Sequence, residues 1–448
     1  MSRFRPSYYQ EIKRVKAIDP FAIYGARWDK GPNPTLTRTD NAIGMAANAG
    51  IGSSAVINDF DNIGIWGEIT AVQDSLGNVF ARIPKFYIRK TDNEGYKTRQ
   101  VSKTKYPGFY LPWCFWDFQN NRELPYIDIG KYKATLSVDN KLESKPGKPP
   151  LVNTNIVQFR DYATANGLGY QQLDIHVIDV LRTLFFIEFA TLDAQSVIQG
   201  YSSGRYGVES DLATVSESAA NRIIVSNVTA SNYLVGQTIS VGTARYDTQV
   251  FYGRTITAIE DYDADNKAIV FDGDPVDITV GSFLQNTGWI NGFSSGIAAS
   301  SGTIVANNGK FPCSYRGIES LWGDVFQFVD GVNITDRQAW VCKNAAQYAS
   351  NVFANPYEQL SYVNGDTNGY ITAMGYDPNS PFAEFPVAIS GSTTHYKDYY
   401  YQDSGQRIAR FGGSWSYGAA AGLSFWYLTY SSSVARVSPG GRLLKKPL

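Results

Sequence analysis

Alternation of apolar and polar positions is the clearest pattern in the first third of the chain. The runs 79–83 and 86–89 alternate with the period of two that is typical of half-buried strands. Pro84 separates them and indicates a sheet edge or a bulge, because proline cannot donate a ladder hydrogen bond. Similar short runs between turn residues predict a β-rich region over 21–150, and the Pro- and Lys-rich stretch 142–154 reads as a loop.

Two segments carry apolar residues at helical spacing. In 171–200 these positions recur every three or four residues, which predicts a long helix with one apolar face that stops near Gly200. We expect His176, near its start, to be a satisfied or exposed helix histidine rather than a ligand. In 318–330 the same spacing predicts a second, shorter helix that Gly331 ends. Because short isolated helices are marginal, both need a sheet to pack on.

The segment 222–288 has a different character, with short strand-like runs separated by Gly, Asn and Asp. The sequence DADNK, at 263–267, lies between two such runs and predicts a hairpin. We interpret the segment as a small all-β module inserted into the parent domain. Acidic residues cluster over 260–277, but their spacing matches no EF-hand loop, so we favour solvated turns over a calcium site.

Together these patterns predict an α+β fold in which two helices pack on antiparallel sheets. The first residues mix basic and aromatic side chains and form either a frayed terminus or a docking arm. The predicted divisions are 1–20 for this arm, 21–150 for an N-terminal β-rich region, 151–221 for the first part of the main domain, 222–288 for the inserted module and 289–448 for the remainder.

Charge and composition exclude several classes of protein. The 448 residues include 40 Lys plus Arg and 41 Asp plus Glu, so the chain lacks the basic surplus of a nucleic-acid-binding protein. No apolar run approaches about 18 residues, and the N-terminus has no apolar signal-peptide core, so we expect no membrane insertion. Three distant cysteines and two histidines argue against a disulfide framework and against zinc or iron sites. We therefore expect no catalytic residues, no metal and no cofactor.

The C-terminal segment has the most distinctive composition. Glycines recur among large aromatic residues, and no charged residue lies between Arg410 and Arg436. Glycine permits sharp turns and close packing against rings, and aromatic side chains anchor loops without regular structure. The pattern predicts a rigid frame beneath a surface of Tyr, Ser, Ala and Thr, which is the chemistry of antibody paratopes.

Two motifs in this region resemble a known family. The string RFGGSW at 410–415, with the later GAAAGLSFW and GGR, resembles the C-terminal end of C-type-lectin-fold phage proteins, especially the major tropism determinants. These are receptor-binding proteins of phages that use diversity-generating retroelements. The segment 317–328 resembles the element before the final strands of formylglycine-generating enzymes, which share the fold. The resemblance is strong over about 313–445, and the phrases 26–45 and 82–90 are similar to phage tail and prophage structural proteins.

The resemblance implies a C-type lectin-like domain without enzymatic chemistry. The oxidase branch of the family needs cysteines close to its final strands, but no cysteine follows Cys342 in this chain. Iron-dependent relatives need three histidines, and this chain has two. We therefore expect a binding protein and not an enzyme.

The expected function is that of a bacteriophage virion protein of the tail fibre or tail tip. It would hold a host cell-surface glycan or protein by reversible, non-covalent adhesion. The resemblance also implies contact with other virion proteins, a location on the particle after synthesis in the host cytoplasm, and a homotrimer anchored by the arm at 3–16. The alternatives are a structural virion component, such as a head fibre or a tail-assembly protein, and a formylglycine-generating type of enzyme.

The predicted binding face lies between Tyr417 and Val437. Asparagine is absent after Asn379, and adenine-directed mutation of Asn codons would yield the Ser, Tyr, Thr, Ala and Val found there. Ordinary buried strand residues are the alternative interpretation. The residues predicted to face a receptor are Tyr417, Ala419, Ala420, Ser424, Tyr427, Thr429, Ser431, Ser432 and Ser433. The residues predicted to hold the frame are Gly412, Gly413, Trp415, Gly418, Gly422 and Arg442.

Overall fold

A computed structural model describes residues 19–297 and 300–448, which are mostly β-sheet with few helices. This agrees with the α+β class. The predicted anchor at 3–16 lies outside the described residues. In the part of the chain that is described, no helix is both long and apolar enough to cross a membrane. The α-helices are Ile156–Thr164, Ile175–Phe189, Ala194–Val197 and Asn227–Ala230, and the 3-10 helices are Asp59–Asn62, Trp113–Phe115, Phe293–Gly296, Ala345–Gln347 and Gly418–Ala420.

The most enclosed element is the helix Ile175–Phe189, called the central helix below. Asp174 begins it, because its side chain accepts a hydrogen bond of 2.9 Å from the Val177 amide. Ala190, with a left-handed φ of 51°, ends it. The helix is thus shorter than the predicted 171–200. It also has no solvent-facing side, because every one of its residues is buried.

Ion pairs accommodate the charged side chains of the central helix. Asp179 pairs with Lys90, whose ammonium also lies 3.0 Å from Glu384, and Arg99 contacts Glu384 at 2.7 Å. Burial alone would raise the pKa of Glu384, but Arg99, Lys90 and Arg182 together hold it well below its usual value. Such pairs allow a polar helix face to be buried, since each charge keeps a partner.

The largest sheet, called the C-terminal sheet below, packs on the central helix. Its strands are mostly antiparallel, and one apolar cluster contains side chains from both this sheet and the helix. In spatial order they are Glu358–Gln359, Gln338–Val341, Phe326–Thr335, Gln406–Phe411, Trp426–Leu428, Tyr399–Gln402, Gly369–Met374 and Pro386–Ser390, and Pro439–Gly440 pairs with Phe326–Thr335.

Smaller sheets surround this centre. A five-stranded sheet joins the chain end to the N-terminal region, in the order Tyr170–Gln172, Leu443–Lys445, Tyr126–Gly130, Val79–Pro84 and Thr70–Gln73. There are two four-stranded sheets. The first has the order Thr37–Asp40, Ile23–Trp28, Lys97–Ser102 and Tyr87–Asp92. The second has the order Ile318–Glu319, Ser314–Tyr315, Ser301–Thr303 and Gly50–Ile51. Two-stranded pairs are Trp116–Asp117 with Arg122–Glu123, Thr135–Leu136 with Leu142–Glu143, Glu217–Ala220 with Val276–Ile278, and Ala47–Asn48 with Ile57–Asn58.

The segment predicted as an inserted module forms a five-stranded sheet with its own apolar cluster. The predicted hairpin is present, because Phe251–Asp261 pairs antiparallel with Asn266–Phe271. The independence of 222–288 stays a prediction. The strands, in spatial order, are Arg222–Ser226, Asn266–Phe271, Phe251–Asp261, Gln237–Gly242 and Phe283–Trp289.

The second predicted helix, over 318–330, is wrong. The segment forms the short strand Ile318–Glu319, a turn, and then the strand Phe326–Thr335. Left-handed φ angles of 72° at Gly323 and 63° at Asp324 break any helix here. The long strand is buried on both faces, so its apolar run carries no period of two that would distinguish it from a helix.

The predicted division at residue 150 does not coincide with a break in the core. One apolar cluster contains side chains from Ala22 through the central helix to Leu444, and Trp66 of the N-terminal region donates its indole N–H to the Leu184 carbonyl at 3.3 Å. The N-terminal β-rich region and the C-terminal sheet therefore share a core around the central helix.

Candidate functional site

The candidate site includes the strand Tyr399–Gln402, along which side chains point alternately to the two faces of the sheet. Tyr400 is fully buried in the core that covers the central helix, whereas Tyr399 and Tyr401 are half-buried on the opposite face. A strand with period two thus divides three consecutive tyrosines between the core and an accessible surface.

Strand register then extends this surface across the C-terminal sheet. Tyr401 lies opposite Tyr427, and Tyr427 lies opposite Arg410, so the three side chains share one face. Arg410 in turn lies opposite Phe328 on the strand Phe326–Thr335. Residues distant along the chain therefore form one continuous row.

Tyr401, Tyr427 and Arg410 of this row line a cleft of about 620 Å³, which we call the tyrosine cleft. Half-buried tyrosines from four separate parts of the chain and the exposed Tyr246 contribute to it, and none of its lining residues is acidic. The lining residues are Tyr206, Tyr246, Phe326, Tyr370, Tyr399, Tyr401, Arg410, Ser414, Trp415, Ser416, Tyr417, Ala420, Tyr427, Tyr430 and Ser438.

The rings support one another. The centroids of Tyr401 and Tyr427 are 4.6 Å apart with 30° between the ring planes, and Tyr399 lies 4.7 Å from Tyr401. Tyr417 meets Phe326 edge-on at 5.2 Å and Tyr427 at 6.3 Å. These are the separations at which aromatic pairs are favourable, so the half-buried rings have defined positions.

Arg410 is the only charged residue among the residues that line the cleft, and its position is unusual. It is 1% exposed, and its guanidinium carbon lies 3.6 Å from the Tyr430 ring centre, 4.2 Å from Tyr427 and 4.7 Å from Phe326. None of its three side-chain nitrogens has a hydrogen bond of ordinary geometry to a described residue. Burial lowers the pKa of Arg410 to about 10, and Tyr430, Tyr427 and Tyr417 oppose that shift. The side chain remains a cation at neutral pH.

The phenols of Tyr401 and Tyr417 remain protonated at neutral pH. Burial raises the pKa of Tyr401 to about 12, with smaller contributions from the neighbouring tyrosines. Burial likewise raises the pKa of Tyr417, and Tyr427 and Tyr401 add to the effect while Arg410 opposes it. At neutral pH the cleft therefore offers hydroxyl groups, ring faces and one cation.

Arg442 holds the frame beneath the cleft and is fully buried. Its Nε donates to Gln327 Oε1 at 2.7 Å, one terminal nitrogen donates to the carbonyls of Gly130 and Lys131, and the other to those of Glu319 and Ser320. It thereby connects the five-stranded sheet that contains Tyr126–Gly130, the turn after Ile318–Glu319 and the C-terminal sheet. The predicted frame role of Arg442 stays a prediction, which the loss of these hydrogen bonds would test.

The predicted frame glycines differ in whether a side chain would fit at their positions. A Cβ on Gly422 would lie 2.1 Å from the Asp398 carboxylate, and one on Gly413, which has a φ of 77°, would lie 2.5 Å from Ala421 Cβ. Gly418 has open space around that position and acts through its backbone instead, because its carbonyl accepts a hydrogen bond of 2.7 Å from Gln195. The two remaining predicted frame residues, Gly412 and Trp415, are buried.

The structure divides the nine residues predicted to face a receptor. Tyr417, Ala420 and Tyr427 line the cleft, and Ala419 is exposed in the same short turn. Ser424 was predicted wrongly, since it is fully buried and its amide donates to Asp398 Oδ2 at 2.5 Å. The irregular segment after Trp426–Leu428 places four of the predicted residues outside the cleft lining, half-buried or exposed: Thr429, Ser431, Ser432 and Ser433.

Sequence reasoning missed part of the cleft. The consecutive tyrosines at 399–401 were visible, and an assumed strand would have placed the first and third on one face. The contributions of Tyr206, Tyr246, Tyr370 and Arg410 depend on tertiary contacts that no local pattern reveals.

Other chemistry-bearing residues do not form a second centre of this kind. Within 19–297 and 300–448, no group of three or more His, Cys, Asp or Glu side chains is arranged to hold a metal ion. Cys114, Cys313 and Cys342 are buried free thiols. His176 is buried rather than exposed, and its Nε2 lies 3.0 Å from the Cys342 carbonyl.

Comparison of the chain with protein-family models and with curated proteins found no match.

Proposed function

We propose that this chain is a bacteriophage virion protein with a C-type lectin-like domain that adheres to the host cell surface through the tyrosine cleft. The observation that carries the proposal is the convergence of half-buried tyrosines from four parts of the chain on a frame fixed by Arg442 and glycines. Adhesion would be non-covalent and reversible.

The chemistry of the cleft suits recognition of a glycan or a protein epitope. Tyrosine offers a large rigid contact area at low entropic cost, and its hydroxyl adapts to donors and acceptors. The ring faces can stack on sugar rings or apolar side chains, since Tyr370, Tyr399 and Tyr401 are only half-buried. The volume of about 620 Å³ lies within the range of about 300–1,000 Å³ that is typical of small-ligand sites.

On a virion, several copies of the chain can bind one cell at the same time, which compensates for weak binding by a single cleft. If three copies assemble as the resemblance implies, several weak contacts on one particle multiply the apparent affinity roughly 10²–10⁴-fold. The arm at 3–16 would anchor the copies to other virion proteins, which leaves the cleft free for the host.

The test uses the labelled full chain and bacteria of the strain that propagates the phage or carries the gene. We expect saturable binding to these cells and a large loss of binding for the double variant Tyr399→Ser, Tyr401→Ser. Tyr262→Ser is the matched control, because Tyr262 is 40% exposed in the inserted module and does not line the cleft. Circular dichroism and thermal melting establish that each variant is folded.

Two outcomes would overturn this proposal. Equal cell binding by the folded double variant would place the binding site elsewhere. If antibodies label the chain on intact particles but the chain binds no cells, it is a structural virion component instead.

A further inference from the structure

Among the described residues, every buried arginine except one has hydrogen-bond acceptors. Arg442 makes five hydrogen bonds, Arg99 pairs with Glu384 at 2.7 Å, and Arg316 pairs with Glu188. Arg182 is held more loosely, with acceptors at 3.4 and 3.5 Å. Arg410 is buried to the same extent, yet none of its three side-chain nitrogens has a hydrogen bond of ordinary geometry to a described residue, although the Tyr430 side chain comes close enough to favour its charge.

A buried guanidinium without acceptors has lost its water and gained no hydrogen bond in exchange. The three aromatic rings around Arg410 compensate in part through cation–π contacts, but these act on the faces of the group and not on its N–H edges. The N–H edges therefore lack an acceptor of ordinary geometry, which a group from outside the chain would supply if the covering rings moved aside.

Resting on the proposed function, we propose that the tyrosine cleft recognises an acidic sugar of the host surface, whose carboxylate pairs with the guanidinium of Arg410. The carboxylate would complete the hydrogen bonds that Arg410 lacks, and the sugar ring would lie against the tyrosine rings. Recognition is then selective for charge as well as for shape.

Charge matching favours a carboxylate over a phosphate. The cleft contains one cation and no acidic side chain, so a ligand with a single negative charge neutralises it. A planar guanidinium presents two parallel N–H donors that match the two oxygens of a carboxylate. A phosphate monoester, with nearly two charges at neutral pH, would leave an uncompensated charge in this half-buried site.

The proposal requires the cover over Arg410 to open. Tyr430 and Tyr427 are half-buried, and Tyr430 belongs to the segment without regular structure that follows Trp426–Leu428. A turn of the Tyr430 ring would expose the N–H edge of the guanidinium without disturbing a strand. Arg410 itself lies on the strand Gln406–Phe411, so the cation keeps its position while the ring moves.

The experiment compares three probes with the same ring: glucuronate, glucose and glucose 6-phosphate. Binding to the full chain is measured by NMR titration. We expect glucuronate to bind at least tenfold more tightly than glucose and more tightly than glucose 6-phosphate. Arg410→Gln should abolish this preference, and Arg410→Lys should weaken glucuronate binding about tenfold, because an ammonium keeps the charge but loses the two-pronged geometry.

Arg407→Gln is the matched control. It removes the same charge from the same strand, but Arg407 lies three residues away, on the opposite face, and does not line the cleft. Its glucuronate binding should equal that of the unaltered chain. A further measurement needs no variant: the Arg410 side-chain N–H signals of the unaltered chain should shift on addition of glucuronate and not of glucose.

Equal affinities for glucose and glucuronate, unshifted Arg410 signals, or preference for glucose 6-phosphate would overturn the inference. Failure of the proposed function is distinguishable from this. If the Arg410→Gln variant binds cells as well as the unaltered chain does, only the carboxylate contact is disproved. If the unaltered chain binds glucuronate as expected but binds no cells, only host adhesion is disproved.

Discussion

Two buried arginines in the C-terminal segment show opposite arrangements. Arg442 is surrounded by a side-chain amide and four carbonyls, and every nitrogen donates to an acceptor. Arg410 is surrounded by rings, and none of its nitrogens has such an acceptor among the described residues. Burial lowers the pKa of each to about 10, so the difference lies in hydrogen bonding and not in charge state.

The difference separates a structural group from one poised for recognition. Removal of a saturated donor leaves buried acceptors without partners, which costs the full desolvation penalty of each. Removal of an unsaturated donor leaves nothing behind. The two sites therefore predict opposite results for the same substitution.

Arg442→Met should lower the free energy of unfolding by about 3–5 kcal/mol, because it leaves several buried carbonyls without donors. Urea unfolding measures the loss. Arg436→Met is the control, since Arg436 is exposed in the same segment and its loss should cost no more than about 0.5 kcal/mol. A loss below 1 kcal/mol for the Arg442 variant would mean that its hydrogen bonds do not hold the frame.

Gly422→Ala should cost about 3 kcal/mol, near the upper end for overpacking, because the new methyl group would lie 2.1 Å from the Asp398 carboxylate. Asp398 cannot move freely, since its carboxylate also accepts the Ser424 amide. Gly418→Ala is the comparison: it meets nothing within 4 Å and should cost only about 1 kcal/mol, through its φ of 55°. Equal losses in thermal melting would show that the frame tolerates extra volume.

His176 is a third buried basic group, and unlike the two arginines it is neutral at pH 7. Burial lowers its pKa to about 4, against about 6.5 in an unfolded chain, so only the unfolded state gains a proton as the pH falls from 7 to 5. The free energy of unfolding should therefore fall by about 2 kcal/mol over that range through this group.

The control for this group is His176→Gln, which can still donate to the Cys342 carbonyl but does not titrate. Burial raises the pKa of Asp324, which acts in the opposite direction and is present in both proteins, so the measured quantity is the difference between their pH profiles. Parallel profiles would show that His176 has the same pKa in the folded and unfolded states.

Arg410→Met should have the smallest effect on stability, a change of less than about 1 kcal/mol or a gain, because it removes a buried cation that has no hydrogen bonds. Urea unfolding of this variant beside Arg442→Met gives the comparison directly. A loss of several kcal/mol would mean that the three rings and the guanidinium form a structural brace, and Arg410 would then resemble Arg442.

Several local features of the fold follow from the sequence alone. Turn residues and alternation located the hairpin between Phe251–Asp261 and Asn266–Phe271, and apolar spacing located the central helix within 171–200. The Gly and aromatic pattern after Arg410 predicted close packing of the backbone, and at Gly413 and Gly422 a Cβ would lie within 2.5 Å of a neighbouring atom. These features depend on steric and hydrogen-bonding preferences of neighbouring residues, which a sequence displays directly.

Tertiary structure decided the rest. Pairing between distant strands placed Arg410 beside Tyr427 and Tyr401, and burial on both faces made 326–335 a strand although its apolar spacing also suits a helix. Ser424 was predicted to face a receptor, but it is buried, and its amide donates a hydrogen bond to Asp398. Periodicity shows which residues of one strand share a face, but the choice of partner strand and register depends on the packing energy of the whole core, which no single segment contains.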